Sequence, residues 1–472
     1  MASRPPLALV LLLACTAGAE AAPPPEPPPG FVALFNGRDL EGWYGWSTRD
    51  PADLRRMTPE EQAAYKRKSI VGDPAGRPTG DHLAAHWRVE DGVLVNDGQG
   101  LYLTSDRDFG DFELLVDYAM QPLGDSGVYL RGVPQVQIWD WTEEQKFPLG
   151  ADKGSGGLWN NKGPGRFPLK RMDRPFGEWN TLRIKMIGER ATVWLNGEMV
   201  VDDAVLENFF AAPRLAAADK AADRDPATPR PAGFFPDPVD PRGPLQLQTH
   251  GSEIRWRNVF IREIPAAEAD RELAARDAAG FVEQVNGRDL SNWKGAVDSY
   301  EVRDGAIRCK PGRSGDLLTA DEYGDCAIRV EFRLPPAGNN GIALRTPLGG
   351  QAAADGLEIQ VLDSDGYNAR QSAKGGKLLE PYQYHGSLYH CVGAKHGYLR
   401  PTGEWNFEEI EVRGQRVTVV LNGTKILDVD LDAIDRKSLP HVPKGLDRTR
   451  GHLGFSGHSD PVEFRSFKVK PL

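Results

Sequence analysis

The chain has 472 residues, the length of about three average domains or of two large β-sandwiches. Its 57 Lys and Arg against 67 Asp and Glu give a net charge of −10, and no basic run carries interleaved aromatic residues, so we expect no nucleic-acid partner. The 52 Gly and 37 Pro favour a turn-rich all-β protein over a helical one.

The N-terminus is typical of an export signal. Arg4 supplies positive charge, residues 7–14 form a short apolar core, and small residues follow, with cleavage expected after Ala19 or Ala21. The apolar core is too short to span a bilayer, and we expect no transmembrane segment elsewhere. The sequence therefore predicts an exported protein that is periplasmic, attached to the cell surface or secreted.

Cys15 gives the signal a second interpretation. Residues 12–15 read Leu-Leu-Ala-Cys, which resembles a lipobox, and Cys15 would then carry a lipid anchor. The alternative is that Cys15 is simply part of the apolar core of the signal. Residues 23–29 follow as a stiff Pro-rich spacer, so we assign residues 1–29 to signal and spacer together.

The remainder of the chain contains the same pattern twice. Residues 30–43 share Gly-Phe-Val, Asn-Gly-Arg-Asp-Leu and a final Trp with residues 280–293, and Gly-Glu-Trp-Asn occurs at 177–180 and at 403–406. We therefore predict two copies of one domain, copy one at 30–264 and copy two at 280–472. Residues 265–279, rich in Ala, Glu, Arg and Asp, form the linker, which we expect to be a solvated helix that acts as a spacer.

Copy one shows many short strands separated by turns. The predicted strands are 87–95, 112–120, 127–131, 135–139 and 181–186. An Asn-Gly pair at Asn196, repeated at Asn422, predicts a tight hairpin because both turn residues need positive φ. Short strands without alternating helices indicate sandwiches of antiparallel sheets.

Copy one also carries two insertions that copy two lacks. The first lies between Trp43 and Trp87 and contains Thr58-Pro59-Glu60-Glu61, a helix-start pattern, followed by helix-forming residues 62–68. The second spans residues 211–241, is rich in Ala, Asp and Pro, and is predicted to be a long surface excursion.

Three cysteines follow the signal, and all are in copy two. Cys309, Cys326 and Cys391 are an odd number with no counterpart in copy one, which argues against an essential disulfide framework. Pairing of Cys309 with Cys326 across neighbouring strands stays open. The sequence contains no Cys-x-x-Cys, so we expect no structural zinc site.

One strand combines a core-facing side with polar groups on the other. Alternation places Gln135, Gln137 and Trp139 on one face in copy one, and Glu358 and Gln360 on one face in copy two. Amides, carboxylates and aromatic rings are the groups that bind sugar hydroxyls and pyranose faces. The alternative is an ordinary half-solvated strand.

Arginine and histidine side chains lie close to this strand in the sequence. Arg131 and Arg345 end the preceding strands, either as surface ion pairs or as forks for sugar oxygens. His250 precedes the last strand of copy one and corresponds to His458, and each is either a general base or an ordinary loop histidine. His385 and His390 are not at the spacing of two metal ligands on a helix. We therefore predict no metal site, with a bound metal ion as the open alternative.

Together these motifs resemble the 3-keto-disaccharide hydrolase domain family, a family first described as a domain of unknown function that has many exported bacterial members. The shared motifs are the Asn-Gly-x-Asp-Leu-x-x-Trp start, Gly-Val-Tyr-Leu-Arg (127–131), Gln-Val-Gln-Ile-Trp-Asp (135–140), Gly-Gly-Leu-Trp-Asn-Asn (156–161), Gly-Glu-Trp-Asn-Thr-Leu-Arg (177–183) and Leu-Gln-Thr-His-Gly (247–251). The resemblance covers both copies. It implies two tandem concanavalin A-like jelly-roll β-sandwiches and a hydrolase that cleaves sugars already oxidised to a ketone at C3.

A C3 ketone acidifies the C2 proton, so a base can remove that proton and expel the C1 substituent before water adds. We expect His250 to be the base, Arg131 and Gln137 to hold oxygens, and Asp140 to act as acid or orienting group. The expected substrate-binding residues are Gln135, Gln137, Trp139, Gln248, Arg345, Glu358, Gln360, Asp363, His385 and His458. The expected partner is a carbohydrate, and no cofactor is predicted.

Two other functions stay open at this point. The same sandwich serves many lectins, so a non-catalytic carbohydrate-binding protein of the cell surface is the main alternative. A structural envelope protein that uses paired sandwiches for adhesion is the other. Copy one has the fuller Gln-Thr-His-Gly ending, whereas copy two has Glu358 where copy one has Gln135, so one copy is expected to be catalytic and its companion to bind carbohydrate.

Overall fold

The computed structural model describes residues 26–72, 81–225 and 227–472. The predicted signal, its cleavage sites and Cys15 lie outside the described residues. Among the residues that are described, no helix is both long enough and apolar enough to span a membrane.

In the described part of copy one the chain is built mainly of strands, and its α-helices lie in the two insertions. Its strands are β1 (Val32–Ala33), β2 (Trp43–Trp46), β3 (Trp87–Glu90), β4 (Val93–Asn96), β5 (Tyr102–Phe109), β6 (Phe112–Met120), β7 (Asp125–Leu130), β8 (Val133–Trp139), β9 (Asn180–Ile187), β10 (Arg190–Leu195), β11 (Glu198–Val205), β12 (Gly243–Leu247) and β13 (Ile254–Glu263). Its α-helices are α1 (Pro51–Arg55), α2 (Pro59–Val71), α3 (Leu83–His86) and α4 (Ala211–Ala221).

Copy two repeats this order after the linker helix α5 (Ala266–Ala275). Its strands are β14 (Val282–Glu283), β15 (Trp293–Gly295), β16 (Tyr300–Arg303), β17 (Ala306–Cys309), β18 (Ser314–Tyr323), β19 (Cys326–Arg333), β20 (Asn339–Thr346), β21 (Leu357–Leu362), β22 (Trp405–Arg413), β23 (Arg416–Leu421), β24 (Thr424–Asp430), β25 (Gly451–His458) and β26 (Glu463–Pro471). Its α-helices are α6 (Ala352–Asp355) and α7 (Ser364–Ala373).

Each copy is a sandwich of two antiparallel sheets. In copy one an 8-stranded sheet runs β11-β10-β9-β6-β13-β4-β3 with β1 beside β13, and a 5-stranded sheet runs β2-β5-β12-β7-β8. Copy two repeats both sheets, with β16-β17-β26-β19-β22-β23-β24 plus β14, and β15-β18-β25-β20-β21. The predicted all-β class, with two tandem jelly-roll β-sandwiches, is confirmed.

The space between the two sheets of each copy holds its hydrophobic core. Val136 and Ile138 of β8 point into the core of copy one, and Ile359 and Val361 of β21 point into that of copy two. The predicted alternation is therefore confirmed. The polar residues between them lie on the opposite face of each five-stranded sheet, which we call the polar face of that copy.

Local turn and cap predictions are also confirmed. Asn196 and Asn422 have φ of 54° and 50°, each is followed by a Gly with positive φ, and each pair connects two adjacent antiparallel strands. Thr58 caps α2 through a complete capping box with Glu61. Helices α1 and α2 pack against β2. Leu54 of α1 and Tyr65 of α2 join Trp46 of β2 in a small apolar cluster.

The second insertion is mostly exposed, as expected of a surface excursion, and it also contacts copy two. After α4 it crosses to copy two, where Asp237 pairs with Lys395 at 2.7 Å and Gly233 lies against Val392. The Cβ of any larger residue at Gly233 would lie 2.5 Å from a Val392 methyl carbon, so the contact is tight. The insertion therefore connects the two sandwiches.

The linker differs from the expected solvated spacer. Ala269, Asp270 and Leu273 of α5 are buried, and two of them join Phe407 of copy two in an apolar cluster. Asp270 pairs with Arg400 of copy two at 2.7 Å. One face of the linker helix thus packs into the junction, which explains the apolar residues among its charges.

The cysteine pairing that stayed open does not occur in the structure. Cys309, Cys326 and Cys391 are free thiols. Cys309 ends β17 and Cys326 begins β19, but β26 lies between these two strands in the sheet. The strands are therefore not neighbours, which is the physical reason that the two sulfurs do not meet.

Candidate active site

One glycine on each polar face leaves room for a polar side chain from the neighbouring strand. In copy one, a Cβ on Gly127 of β7 would lie 2.7 Å from Gln135 Oε1, and in copy two a Cβ on Gly341 of β20 would lie 2.1 Å from Glu358 Oε1. The side chains of Gln135 and Glu358 therefore lie flat across the neighbouring strand, over the glycine. Any side chain at these glycines would displace the group that most distinguishes the two copies.

Copy one holds a carboxylate with several partners. Asp125 accepts a hydrogen bond from Gln137 Nε2 at 2.9 Å, and Gln137 in turn accepts one from Gln135. Asp125 Oδ2 also lies 3.1 Å from Lys146 Nζ and 3.3 Å from His250 Nδ1. Burial alone would raise the pKa of Asp125, but the His250 and Lys146 contacts outweigh it and lower that pKa. The negative charge of Asp125 is therefore offset by its contacts with Lys146 and His250.

His250 is the exposed member of this cluster. Its side chain is 60% exposed, and its contact with Asp125 raises its pKa above the ordinary histidine value, although Lys146 opposes the rise. The imidazole therefore favours its charged form more than a free histidine does. The exposed imidazole can form a hydrogen bond to a sugar oxygen. The expected role of His250 as a base stays a prediction.

Copy two holds a carboxylate with far fewer partners. The Glu358 side chain is 1% exposed, and its Oε1 lies 3.5 Å from His458 Nε2. Neither Glu358 oxygen forms a hydrogen bond to any described residue. Burial raises the pKa of Glu358, and the His458 contact offsets only part of this effect. Copy one has the amide of Gln135 at the equivalent position, which cannot ionise.

His458 exposes its ring to solvent while it contacts this buried carboxylate. Its side chain is 45% exposed, and the contact with Glu358 raises its pKa, with Asp316 and Asp460 adding to the effect. At His250, by contrast, Lys146 lowers the pKa. A half-exposed imidazole oriented by a buried carboxylate is the arrangement of a general base.

Asp316 is a second acid beside His458. Ser456 donates a hydrogen bond to its Oδ1 at 2.9 Å, and the backbone N–H of Ala352 donates to its Oδ2 at 2.6 Å. Burial raises the pKa of Asp316 despite these two bonds. Its carboxyl therefore holds a proton more readily than an ordinary Asp, which is what a general acid needs.

The remaining polar-face residues provide amides and an indole. Gln248 donates weakly to the Tyr102 hydroxyl at 3.4 Å, and Gln360 donates to Asn339 at 3.1 Å. The Trp139 indole donates to the Gly154 carbonyl at 2.9 Å. Three amide oxygens predicted to bind substrate are buried without a hydrogen-bond partner, and they belong to Gln135, Gln248 and Gln360.

The predicted arginines do not join either histidine. Arg131 is 1% exposed, pairs with Asp111 at 3.0 Å, and donates to the Gly110 and Asp240 carbonyls. Arg345 donates to Gln415 at 3.1 Å and to the Gly414 carbonyl. Each arginine has positive φ at the end of its strand, 53° and 49°, which turns the chain away from the polar face. These contacts hold both arginines within the structure, so we assign neither of them a role in the reaction.

Two predicted acids act as local caps. Asp140 accepts hydrogen bonds from the backbone of Leu123 at 2.8 Å and of Thr142 at 2.6 Å, which fixes the turn after β8. Asp363 caps α7 through Gly366 N and also accepts from Ala337 N at 2.7 Å. The structure pairs His250 with Asp125 and not with Asp140.

His385 lies away from both polar faces. Its Nδ1 accepts from the Leu362 N–H at 3.4 Å, and its Nε2 lies 3.0 Å from Glu408 Oε2. It lines a cleft between the copies, as do Arg131 and Asp363. The residues predicted to form one kind of site thus lie in three places, the two polar faces and this cleft.

Sequence reasoning missed Asp125, Lys146, Asp316 and Ser456. Asp125 and Asp316 were detectable, since each lies on a strand at an even spacing from other polar-face residues. Lys146 was not, because it reaches Asp125 from a short 3-10 helix, Glu144–Leu149, outside the strands. The described residues hold no group of three or more His, Cys, Asp or Glu side chains arranged to bind a metal ion.

Comparison with known proteins assigns both copies to one family. A profile of the 3-keto-alpha-glucoside-1,2-lyase-like domain matches residues 30–262 and 280–470. A curated 3-keto-disaccharide hydrolase of Bacteroides thetaiotaomicron is 24% identical over 253 residues, which is 45% of this chain and 86% of the relative.

Two solved structures are similar to part of this chain. A candidate glycosyl hydrolase from Parabacteroides distasonis is 25% identical, with a TM-score of 0.37 over 42% of this chain and 96% of that one. The carbohydrate-binding module CBM66 of Bacillus subtilis is 11% identical, with a TM-score of 0.23 over 40% of this chain and 95% of that one.

Proposed function

This chain belongs to the family of 3-keto-alpha-glucoside-1,2-lyase-like domains, and from that premise we propose that it is an exported enzyme that cleaves glycosidic bonds in sugars carrying a ketone at C3. The observation that carries this proposal is the contact between Glu358 and His458 on the polar face of copy two. The relative from Bacteroides thetaiotaomicron, named as a 3-keto-disaccharide hydrolase, supports the substrate class.

The reaction divides into an elimination and a hydration. In the first step neutral His458 removes the C2 proton, and the C2–H electron pair forms an enolate with the C3 ketone. The ketone then reforms as the C1–O bond breaks, which leaves a C1=C2 double bond, and Asp316 protonates the departing oxygen. In the second step water adds across the double bond, so the net reaction is hydrolysis.

His458 and Asp316 are the catalytic residues in this scheme, and Glu358 is a positioning residue. The Glu358 oxygens are buried, so they act through the imidazole, which they orient and whose protonated form they stabilise. Asp316 influences the same histidine, and burial raises the pKa of Asp316 itself. The three groups thus supply a base, an orienting group and an acid on one sheet.

Copy one is proposed to bind carbohydrate without cleaving it. Its equivalent of Glu358 is Gln135, and the charge of Asp125 is already balanced by Lys146. Gln135 and Gln248 place amide groups on the polar face of copy one, and amides are groups that pair with sugar hydroxyls. The same feature favours the second candidate function, in which the whole protein is a non-catalytic carbohydrate-binding protein.

The test is release of the aglycone from a chromogenic 3-keto-glucoside and from its unoxidised parent by the full chain. Turnover of the keto form alone supports the proposal, because only the ketone acidifies the C2 proton. Binding of either sugar without turnover would favour the carbohydrate-binding alternative. Equal turnover of both sugars would contradict the elimination step.

Export is part of the proposal. The basic and apolar N-terminus supports a removable signal, with a lipid anchor at Cys15 as the variant in which the protein stays on the cell surface. Mass determination of the mature protein from a secreting host distinguishes the two, since cleavage after Ala19 or Ala21 removes Cys15 and lipidation retains it.

A further inference from the structure

A cleft of about 760 Å³ lies between the two sandwiches. Copy one contributes the Gly110–Asp111 turn, Arg131, Gly188 and Arg242, and copy two contributes much of the segment 384–404. Pockets for small molecules typically enclose roughly 300–1,000 Å³ and occur preferentially at domain interfaces. The cleft has the size and the location of a ligand site, and it is separate from both polar faces.

The junction around the cleft is held by tight contacts. A Cβ on Gly188 would lie 2.3 Å from the backbone of Gly423, and Glu189 N donates to the Gly423 carbonyl at 3.2 Å. Glu189 Oε1 also accepts from Lys425 N at 3.2 Å. Together with Arg400 and Asp270, these contacts fix one sandwich against the other, so the cleft walls are held in place.

Copy two places a buried glutamate against a histidine beneath the cleft, where copy one has neither residue. His385 lines the cleft, and its Nε2 lies 3.0 Å from Glu408 Oε2, whose side chain is 0% exposed. The repeated Gly-Glu-Trp-Asn motif aligns Glu408 with Leu182. The matching backbone bonds of Gly156 to Gln137 and of Gly386 to Gln360 align His385 with Ser155. Copy one therefore folds with Ser and Leu at these positions.

Packing alone does not account for this pair. Burying a polar group costs free energy unless it is hydrogen-bonded, so a glutamate at a core position that copy one fills with Leu is not needed for stability. Both Glu408 oxygens also lack a well-aligned hydrogen bond. The Leu362 N–H donates to His385 Nδ1, and Glu408 contacts the other nitrogen of the same ring. These two contacts hold the His385 imidazole in place between Tyr384 and the turn at Gly386.

Tyr384 and its neighbours provide an amphipathic wall. The Tyr384 hydroxyl accepts from Asn368 Nδ2 at 3.0 Å, which leaves its own proton free to donate. Its ring meets the exposed His396 ring edge-on, with centroids 4.0 Å apart, and Tyr398 lies on the same wall. Aromatic faces next to hydroxyl and imidazole groups suit a pyranose, which has an apolar face and a polar edge.

The arginines and the lysine that line the cleft are already paired. Arg131 pairs with Asp111 at 3.0 Å, Arg242 with Glu263 at 3.0 Å, Lys395 with Asp237 at 2.7 Å, and Arg400 with Asp270 at 2.7 Å. An anionic ligand would have to compete with these partners, whereas an uncharged ligand leaves them intact. The wall chemistry therefore favours a neutral ligand over an anionic one.

We propose that the cleft between the copies is a second binding site for a neutral saccharide of disaccharide size, with Tyr384 as a hydrogen-bonding contact and the His385–Glu408 pair as the support of that wall. This site is distinct from the polar faces, and its existence does not depend on which reaction the polar face of copy two performs.

The test uses maltose, cellobiose and trehalose, with glucose 6-phosphate as a charged comparison, on the full chain. Because these sugars carry no C3 ketone, turnover does not complicate the binding measurement. Hydrogen exchange followed by mass spectrometry locates the bound sugar. Protection of the segment 384–404 and of the turn at Gly188 by at least one disaccharide is the expected result.

Protection confined to β21 and β25, no protection with any of the three disaccharides, or stronger protection by glucose 6-phosphate than by the disaccharides would each overturn the proposal. Tyr384→Phe should weaken the binding measured at this segment about tenfold, the effect of one lost hydrogen bond to the ligand. Tyr382→Phe is the matched control, since Tyr382 is half-buried two residues away and does not line the cleft. Equal losses in the two variants would contradict the assignment of Tyr384.

Discussion

The two polar faces have the same strands but surround the acid beside the histidine differently. In copy one that acid is Asp125, which contacts Lys146 as well as His250, and in copy two it is Glu358, which is buried and contacts His458. The first arrangement fixes a charged cluster that suits recognition, and the second leaves a histidine able to accept a proton. A duplicated domain can thus separate binding from chemistry through a few side chains.

The largest expected effect comes from removing the two histidines one at a time. His458→Ala should lower kcat on a 3-keto-glucoside by roughly 10²–10⁴-fold, because it removes the general base. His250→Ala should leave kcat within a few-fold and act mainly on KM or on binding by copy one. Steady-state kinetics of both variants measures this, and a greater loss of kcat in His250→Ala would reverse the assignment of the two copies.

Glu358→Gln should lower kcat by about 10²-fold and also change the pH profile. The rate of the wild type should rise with pH through the raised pKa of His458, because only the neutral imidazole accepts a proton. Without the Glu358 charge that pKa falls, so the acidic limb should move to lower pH. A loss of kcat with an unmoved limb would mean that Glu358 has only a structural role.

Substitution of the two glycines compares the faces through the backbone. A Cβ at Gly341 would lie 2.1 Å from Glu358 Oε1, and one at Gly127 would lie 2.7 Å from Gln135 Oε1. Gly341→Ala should therefore reduce kcat, whereas Gly127→Ala should reduce carbohydrate binding, and each should cost about 1–3 kcal/mol of stability. Calorimetric unfolding with kinetics checks this, and interchanged effects would contradict the division of roles.

The smallest effect is on stability. Burial raises the pKa of Glu358 in the folded state, so the folded protein binds this proton more tightly than the unfolded chain does, and stability is lost as pH rises from the unfolded-state pKa through the folded-state pKa. The Glu358→Gln variant has no ionisable group at this position, so it does not lose stability over this pH range. The variant should gain on the order of 1 kcal/mol relative to the wild type across this window.

Denaturant unfolding at several pH values measures this gain. Glu411→Gln is a suitable control, because Glu411 is an exposed residue paired with Arg413. A constant difference between Glu358→Gln and the wild type at every pH would show that Glu358 does not have a raised pKa.

The sequence predicted those features that depend on local pattern. Residues 112–120 form β6 as predicted, the Asn196 and Asn422 turns follow from their need for positive φ, and the alternation around Gln137 separates core from polar face. These signals are strong because neighbouring residues alone determine them.

Contacts between distant segments were not predictable. The Lys146–Asp125 pair depends on where a short 3-10 helix, Glu144–Leu149, packs, and Arg131 turns away because its own backbone has positive φ. Glu408 and His385 meet across 23 residues, with no motif linking them. Sequence therefore identified His250 and His458 as equivalent, but it could not show that their carboxylate partners differ in charge balance.

The most direct test of the central claim is the isotope effect on kcat/KM for a 3-keto-glucoside that carries deuterium at C2, measured in competition with the unlabelled sugar. Proton removal by His458 predicts a primary isotope effect in the wild type and in His250→Ala, together with loss of turnover in His458→Ala. Full turnover in His458→Ala, or the absence of an isotope effect in a variant slowed at the chemical step such as Glu358→Gln, would contradict it.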